Sequence, residues 1–353
     1  MSVSGTPLTA APLKRPQLLL PVHGGPDGGP AIAHDFSTNA NPLGPPPALW
    51  QAVLAADRRR YPDPSYRALR ERLGAAHDLP PARVLPASGG AEAIRRLSLA
   101  ALLQGSREVW VPNPGFGDYA LAAQALGLAV RPYADSDALI YGLREPALVW
   151  ICEPCNPSGA SLSREELQRI ARAAARCGAV LAVDRAYEPL RLQGRAAELP
   201  PGCWQLHCPN KALGLTGVRA AYLLAPAEDA WWARLLSLAP SWVLAAEGEA
   251  LLQHWHHSST LEWLDCSRRQ LRDWSAALQQ QLARLGWTQQ PSVTPFWLAR
   301  PPGGLPMDLR SRGIKLREAA SLGRPGWWRI AAQPPDSQQA LLQALQAKAK
   351  DLA

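Results

Sequence analysis

Lys211 and Arg219 are the two cations of the stretch CPNKALGLTGVRAAY (208–222), separated by a Gly-rich turn in an otherwise uncharged segment. A lysine amine can attack an aldehyde carbonyl, and an arginine is a permanent cation against which a phosphate can lie. On these residues alone two readings are open: ordinary surface charges, or an anion held between them. Ser88, Gly89 and Gly90 in ASGGAEAI offer backbone N–H groups where a strand gives way to a helix, which is where phosphates bind, although a plain turn has the same sequence. Asp184 and Tyr187 in DRAY, Asn156 in NPSG and Phe116 in NPGFGDY add a carboxylate, a phenol, an amide and an aromatic face.

What must position these groups is a series of alternating units. Helical patterns at PSYRALRERLGAAH, GAEAIRRLSLAALLQ, YALAAQALG and SREELQRIARAAARCG alternate with strand-like runs RVLPAS, EVWVPN, ALVWICEP and AVLAVDRAY. That alternation predicts an α/β domain with a mostly parallel central sheet covered on both faces. Ligands collect at the carboxyl ends of such strands, and each chemistry-bearing residue follows a strand-like run. Residues 1–50, Pro/Gly-rich, read as an irregular arm contributing to a small domain; 51–235 form the large domain. Residues 236–353 supply a long helical stretch and a small α+β domain.

Of the 353 residues, 47% are apolar and 19% charged, with no apolar run near the roughly 18 residues a membrane span needs. The net charge of +8 comes from 37 basic residues that are mostly isolated; ADRRRY is the one compact run, so an anionic small molecule is expected rather than nucleic acid. The N-terminus has its basic pair after a small-residue stretch, the wrong order for a secretory signal, and a cytoplasmic location is expected. Six cysteines are too few for a disulfide framework in a chain this long. Cys152 and Cys155 form a C-x-x-C, read as buried free thiols rather than zinc ligands, and HWHH (254–257) is read as an exposed helical stretch rather than a metal site.

Taken in order, ASGGAEAI, NPGFGDY, NPSG, DRAY and NKALGLTGVR resemble the motif series of fold-type I pyridoxal-phosphate enzymes, the aspartate-aminotransferase superfamily, over nearly the whole chain. The resemblance implies a pyridoxal 5'-phosphate cofactor whose aldehyde is taken by Lys211. It implies Ser88, Gly89, Gly90 and Arg219 around the cofactor phosphate, Asp184 on the pyridine nitrogen, Asn156 and Tyr187 on the ring oxygen, and Phe116 stacked on the ring. A carboxylate partner keeps that nitrogen protonated, which makes the ring an electron sink. Tyr119 competes with Phe116 for the stacking place. RYPD (60–63) resembles the motif whose tyrosine, here Tyr61, reaches the cofactor phosphate of a neighbouring protomer, and so implies a homodimer. Cys208 and Asn210 stand where the superfamily more often has hydroxyl residues, which predicts weaker phosphate contacts.

On the substrate side, HGG (23–25), DFSTNANPLGPP, PSW and WWRIA most closely resemble the threonine-phosphate decarboxylases of cobalamin biosynthesis. Histidinol-phosphate aminotransferases share most of these but usually lack the early HGG. Both imply a phosphorylated amino substrate. The resemblance puts His23, Asn39 and Arg317 around it and Arg329 on its carboxylate, a task suited to a planar bidentate fork. Gln333 stands where close relatives often carry another arginine. The expectation is decarboxylation of L-threonine O-3-phosphate, with transamination of the histidinol-phosphate type as the alternative. A non-catalytic cofactor-binding regulator is the third reading, and the presence of Lys211, Asp184 and Arg329 speaks against it.

Overall fold

A computed structural model describes residues 23–304 and 309–350 of the chain; the N-terminal stretch 1–22, read above for a leader, lies outside them. The chain begins with β1 (His34–Asp35), α1 (Pro47–Leu54), α2 (Arg67–Ala76), β2 (Val84–Ala87) and α3 (Gly90–Leu103). Then come β3 (Glu108–Pro112), α4 (Asp118–Ala125), β4 (Ala129–Tyr133), α5 (Ser136–Gly142), β5 (Leu148–Cys152), α6 (Arg164–Arg176) and β6 (Val180–Asp184). β7 (Trp204–His207), β8 (Ala221–Leu224), α7 (Ala230–Ser237), α8 (Ala246–His254) and α9 (Ser258–Arg284) follow. The C-terminal part holds β9 (Thr288–Gln289), β10 (Phe296–Arg300), β11 (Ile314–Lys315), β12 (Arg317–Glu318), β13 (Trp328–Ala331) and α10 (Pro335–Lys350).

Seven strands form the large sheet in the order β2-β8-β7-β6-β5-β3-β4. β4, β3, β5, β6 and β7 run parallel, while β8 is antiparallel to both its neighbours. β5 is buried along its whole length, the continuous apolar run of a strand covered on both faces. α6 starts where its sequence says it should: the Ser163 hydroxyl accepts from the Glu166 amide at 3.1 Å and the Glu166 carboxylate accepts from the Ser163 amide at 2.8 Å, a reciprocal cap. A four-stranded antiparallel sheet, β12-β13-β10-β9, forms the second unit, and β1 pairs with β11 beside it. α9 joins the two cores: its Leu264 and Leu271 pack into the large one, its Leu278 and Leu282 into the small one. Each such leucine contributes about 1.5–3 kcal/mol by leaving water.

Two expectations are corrected. α1 begins at Pro47, inside the stretch read as irregular, because a proline in the first helical turn gives up an N–H that has no partner there anyway. The stretch read as long and helical is two helices, α8 and α9, and HWHH lies at the break between them instead of on an exposed helix face. The break turns His256 inward against His77, at a ring separation of 5.2 Å. His77 in turn hydrogen-bonds the Tyr222 hydroxyl at 2.8 Å and packs on His207 at 4.8 Å. No described helix is long and apolar enough to cross a membrane.

Candidate active site

The carboxyl ends of β2, β6 and β7 bring the first set of groups together. After β2, Gly89 adopts φ +85°, and α3 starts at Gly90. A Cβ on Gly89 would lie 2.5 Å from the Arg219 Nη2, so only glycine lets the guanidinium close on this turn. A Cβ on Gly90 would lie 3.0 Å from the Cys208 Sγ. Arg219 is fixed by donating to the Thr216 carbonyl at 2.9 Å, and the Ser88 amide donates to Glu92 at 3.1 Å. A Gly-rich helix start, an arginine and a small thiol therefore share one corner, a set of donors suited to a phosphate. Asn210 faces away from it, its Nδ2 donating to the Val218 carbonyl at 3.3 Å, so its amide ties the turn and not the corner.

Asp184 ends β6 and is buried. It accepts from the Tyr119 hydroxyl at 2.6 Å and from the Ala186 amide at 2.9 Å. Burial pushes its carboxyl above the usual range, while Lys211, Tyr119 and the Ala186 amide pull it back toward ionisation. Tyr119 stacks on Trp150 with ring centroids 4.8 Å apart, so its ring is in the core and its oxygen is committed to Asp184. Of the two aromatics, Phe116 lines the cleft, and Tyr119 is tied to the carboxylate. No sequence periodicity links positions 119 and 184; only the packing of α4 against the sheet does.

Lys211 follows β7, its Nζ 5.4 Å from the centroid of the Tyr187 ring. Burial works against its charge, while Cys208, Tyr187 and Asp184 oppose burial and raise it. The Asn156 Oδ1 accepts from Arg329 at 2.7 Å and from Asn39 at 3.5 Å. Lys211, Tyr187, Asn156, Phe116, Asn39 and Arg329 all line one cleft of about 130 Å³, together with His23 and Arg317.

Arg317 and Arg329 sit directly opposite one another on the antiparallel strands β12 and β13, and both are buried. Like charges at facing positions are destabilising, so the pair is arranged for something other than stability. Burial lowers Arg329 to about 10, with Arg317 adding to that fall and Tyr187 opposing it. The Nε of Arg329 has no partner among the described residues, while Arg317 is braced by Ser321 at 2.6 Å. The arm closes this end. A Cβ on Gly24 would meet the Ser37 carbonyl oxygen at 2.1 Å, and the Gly25 amide donates to the Ser37 hydroxyl at 2.9 Å. Asp27 is clamped by Lys315 at 2.7 Å and Arg310 at 3.0 Å. His23 is thereby carried to the rim, 3.8 Å from Asp118 and 6.3 Å from the Phe116 ring.

Tyr61 is the one expected site residue that stands apart from the rest. It is 77% exposed, stacks on Trp242 at 4.3 Å, and lies in a separate hollow with Asp57, Arg60 and Gln253. Gln333 is buried at the end of β13, its carbonyl accepting from Gln338 at 2.7 Å.

Residues 32–347 match the family model described as aminotransferase class I and II. Histidinol-phosphate aminotransferase 1 of Burkholderia lata is 30% identical over 310 residues, covering 82% of this chain and 83% of that protein. The solved histidinol-phosphate aminotransferase of Sinorhizobium meliloti, in complex with pyridoxal-5'-phosphate, superposes with a TM-score of 0.76 at 21% identity, covering 92% of each chain. The L-threonine-O-3-phosphate decarboxylase of Porphyromonas gingivalis superposes with a TM-score of 0.75 at 21% identity, covering 89% of this chain and 99% of that one.

Proposed function

We propose, for a chain that belongs to the class I and class II aminotransferase family, a pyridoxal-phosphate enzyme acting on a small amino compound that carries a phosphate. Its cofactor is pyridoxal 5'-phosphate. The residues fit that group: Gly89 leaves a cradle that a Cβ would fill, Arg219 lies against it, and a buried carboxylate stands beside a buried lysine. Ser88, Gly89, Gly90 and Arg219 would hold the phosphate, Asp184 the ring nitrogen, Asn156 and Tyr187 the ring oxygen. Bound there, the cofactor supplies an aldehyde for the substrate amine and a ring that accepts the electron pair of whichever Cα bond stands perpendicular to it. Lys211 would hold the cofactor through its aldehyde and would move the proton at Cα. Asp184, kept in place by Tyr119, holds a proton on the ring nitrogen. Phe116 covers one face and excludes water.

The single observation that carries the substrate class is the facing pair Arg317 and Arg329 at the cleft. A phosphate or carboxylate between them would turn a repulsion into two charge-assisted contacts. Between the two reactions left open by the motifs, the relatives favour transamination of the histidinol-phosphate type, and we take it as the first reading over the decarboxylation expected from the substrate-side residues. Decarboxylation of L-threonine O-3-phosphate retains one specific observation, the HGG arm, whose His23 and Gly24 line the cleft. The two are separated by incubating holoenzyme with histidinol phosphate plus 2-oxoglutarate, and in parallel with threonine phosphate. Glutamate formation in the first is the expected result. Carbon dioxide from the second without glutamate in the first makes decarboxylation the function. We also infer a homodimer in which Tyr61 serves the partner's site; its exposure and its position outside its own cleft support this.

A further inference from the structure

Cys152 and Cys155 are not used by the chemistry above, yet they join the cofactor site to a second cavity. Cys152 ends β5 in direct register with Asp184 on β6. Its Sγ accepts from the Asn156 amide at 3.3 Å, and it also contacts the Tyr119 hydroxyl. Cys155, one turn further on, is partly exposed. With Cys152 it lines a separate cavity of about 270 Å³, together with Tyr133, Ser158, Gln290 and Arg324. The two thiols lie beside one another; the Cys152 thiol donates to the Pro154 carbonyl at 3.3 Å and the Cys155 thiol to the Pro114 carbonyl at 3.8 Å.

We propose that Cys152 and Cys155 form a reversible dithiol–disulfide switch, closed by hydroperoxides entering through that second cavity. The partners have distinct tasks. Cys155 is the attacking thiol: it is the more exposed of the two, and the neighbouring Cys152 eases its ionisation. Cys152 is the resolving thiol, buried, and pushed up by the neighbouring Cys155 and by burial. The Cys155 thiolate attacks a peroxide oxygen; an S–O bond forms, the O–O bond breaks, and the departing oxygen leaves as water or alcohol after taking a proton. The Cys152 sulfur then attacks the Cys155 sulfur; the S–S bond forms, the S–O bond breaks, and the hydroxide leaves as water with the Cys152 proton. Two thiols lose two electrons in all, and the peroxide is reduced by two. A dithiol reductant reverses the change.

Closure reaches the cofactor site because a disulfide holds its sulfurs at about 2.05 Å, a separation that two free thiols do not reach. The Cys152 Sγ must then turn from the Asn156 amide and the Tyr119 hydroxyl. Asn156 carries the bond to Arg329, and Tyr119 carries the bond to Asp184, so both the substrate cation and the ring-nitrogen partner lose their support.

The inference rests on the proposed function only for its activity readout; the disulfide is read by mass. Holoenzyme of the full chain is treated with tert-butyl hydroperoxide, and intact mass, a non-reduced peptide map, turnover and the absorbance of lysine-bound cofactor are followed before and after dithiothreitol. A loss of about 2 Da mapping to a 152–155 bridge, with turnover down at least about tenfold and recovered by the reductant, is expected. Cys155→Ser should keep basal turnover and resist the peroxide, with Cys155→Ala as a second variant if the first misfolds. Cys266→Ala, which removes an exposed thiol far from the site, should behave as the parent. Oxidation only at Cys266, a 152–155 bridge without change in turnover or cofactor absorbance, or equal inactivation of Cys155→Ser overturns the switch. Should the protein turn over neither test substrate, the mass and the cofactor absorbance still decide it.

Discussion

Tyr119→Phe removes one oxygen from a fully buried side chain and leaves its packing on Trp150, at 4.8 Å between centroids, in place. What is lost is the 2.6 Å hydrogen bond that the phenol donates to Asp184. A bond to an ionised group contributes about 1.5–3 kcal/mol, so kcat/KM should fall by about 10- to 150-fold. The direction of the pH effect follows from the same contact. Burial already raises the Asp184 carboxyl and Tyr119 counteracts it. Removing the phenol raises Asp184 further, so activity that needs the carboxylate should be lost at a higher pH as the solution is acidified. The assay is a pH–rate profile of parent and variant, with cofactor affinity measured separately by absorbance titration. A variant within about twofold of the parent at neutral pH, with an unmoved acid limb, would show that Asp184 needs no orienting partner.

Gly89→Ala puts a methyl 2.5 Å from the Arg219 Nη2 at a residue with φ +85°, so cofactor affinity should drop at least about tenfold while far-UV circular dichroism stays near that of the parent; unchanged affinity would remove the phosphate from this corner. Arg317→Ala should raise KM for a phosphorylated substrate by about 10- to 100-fold and leave the dephosphorylated analogue nearly unaffected, and equal effects on both would make Arg317 a packing residue. His256 is lowered from 6.5 to about 4 by burial and by His77, so it is neutral in the fold and protonated in the unfolded chain between those values. Its contribution is complete above pH 6.5 and is lost as pH falls toward 4, about 2 kcal/mol after allowing for its partial exposure. Urea denaturation at pH 7 and pH 4.5 checks this, with His256→Gln expected to shrink the difference by about 2 kcal/mol while the buried His77 and His207 keep the remainder, and an equally steep loss in the variant contradicting it.

The parts of the fold that were legible in the sequence are those with local causes. The buried runs of β3, β5 and β6 and the Ser163–Glu166 cap announce themselves within a few residues, and the loops after the strands carry Ser88, Asn156, Asp184 and Lys211 into one region because a parallel sheet brings its carboxyl ends together. β4 and β8 were not picked out and β7 was expected only as an unplaced strand-like run before Lys211; β4 is largely exposed and lacks an apolar run, and the direction of β8 is set by pairing with β2 and β7 and not by its own residues. The Tyr119–Asp184 bond and the facing arginines of β12 and β13 depend on packing and register, which single positions do not encode. HWHH misled because its inward turn is decided by the partners His77 and Tyr222, distant in sequence.

The central claim is that the cleft pairs an amine-handling cofactor site with an anion held between Arg317 and Arg329. Its most direct test is an absorbance titration of the holoenzyme with histidinol phosphate, histidinol, threonine phosphate and threonine. A spectral change at least about 100-fold tighter for the phosphorylated member of one pair, lost in Arg329→Gln, is the result expected from two charge-assisted contacts. Equal affinity for both members of each pair would contradict it.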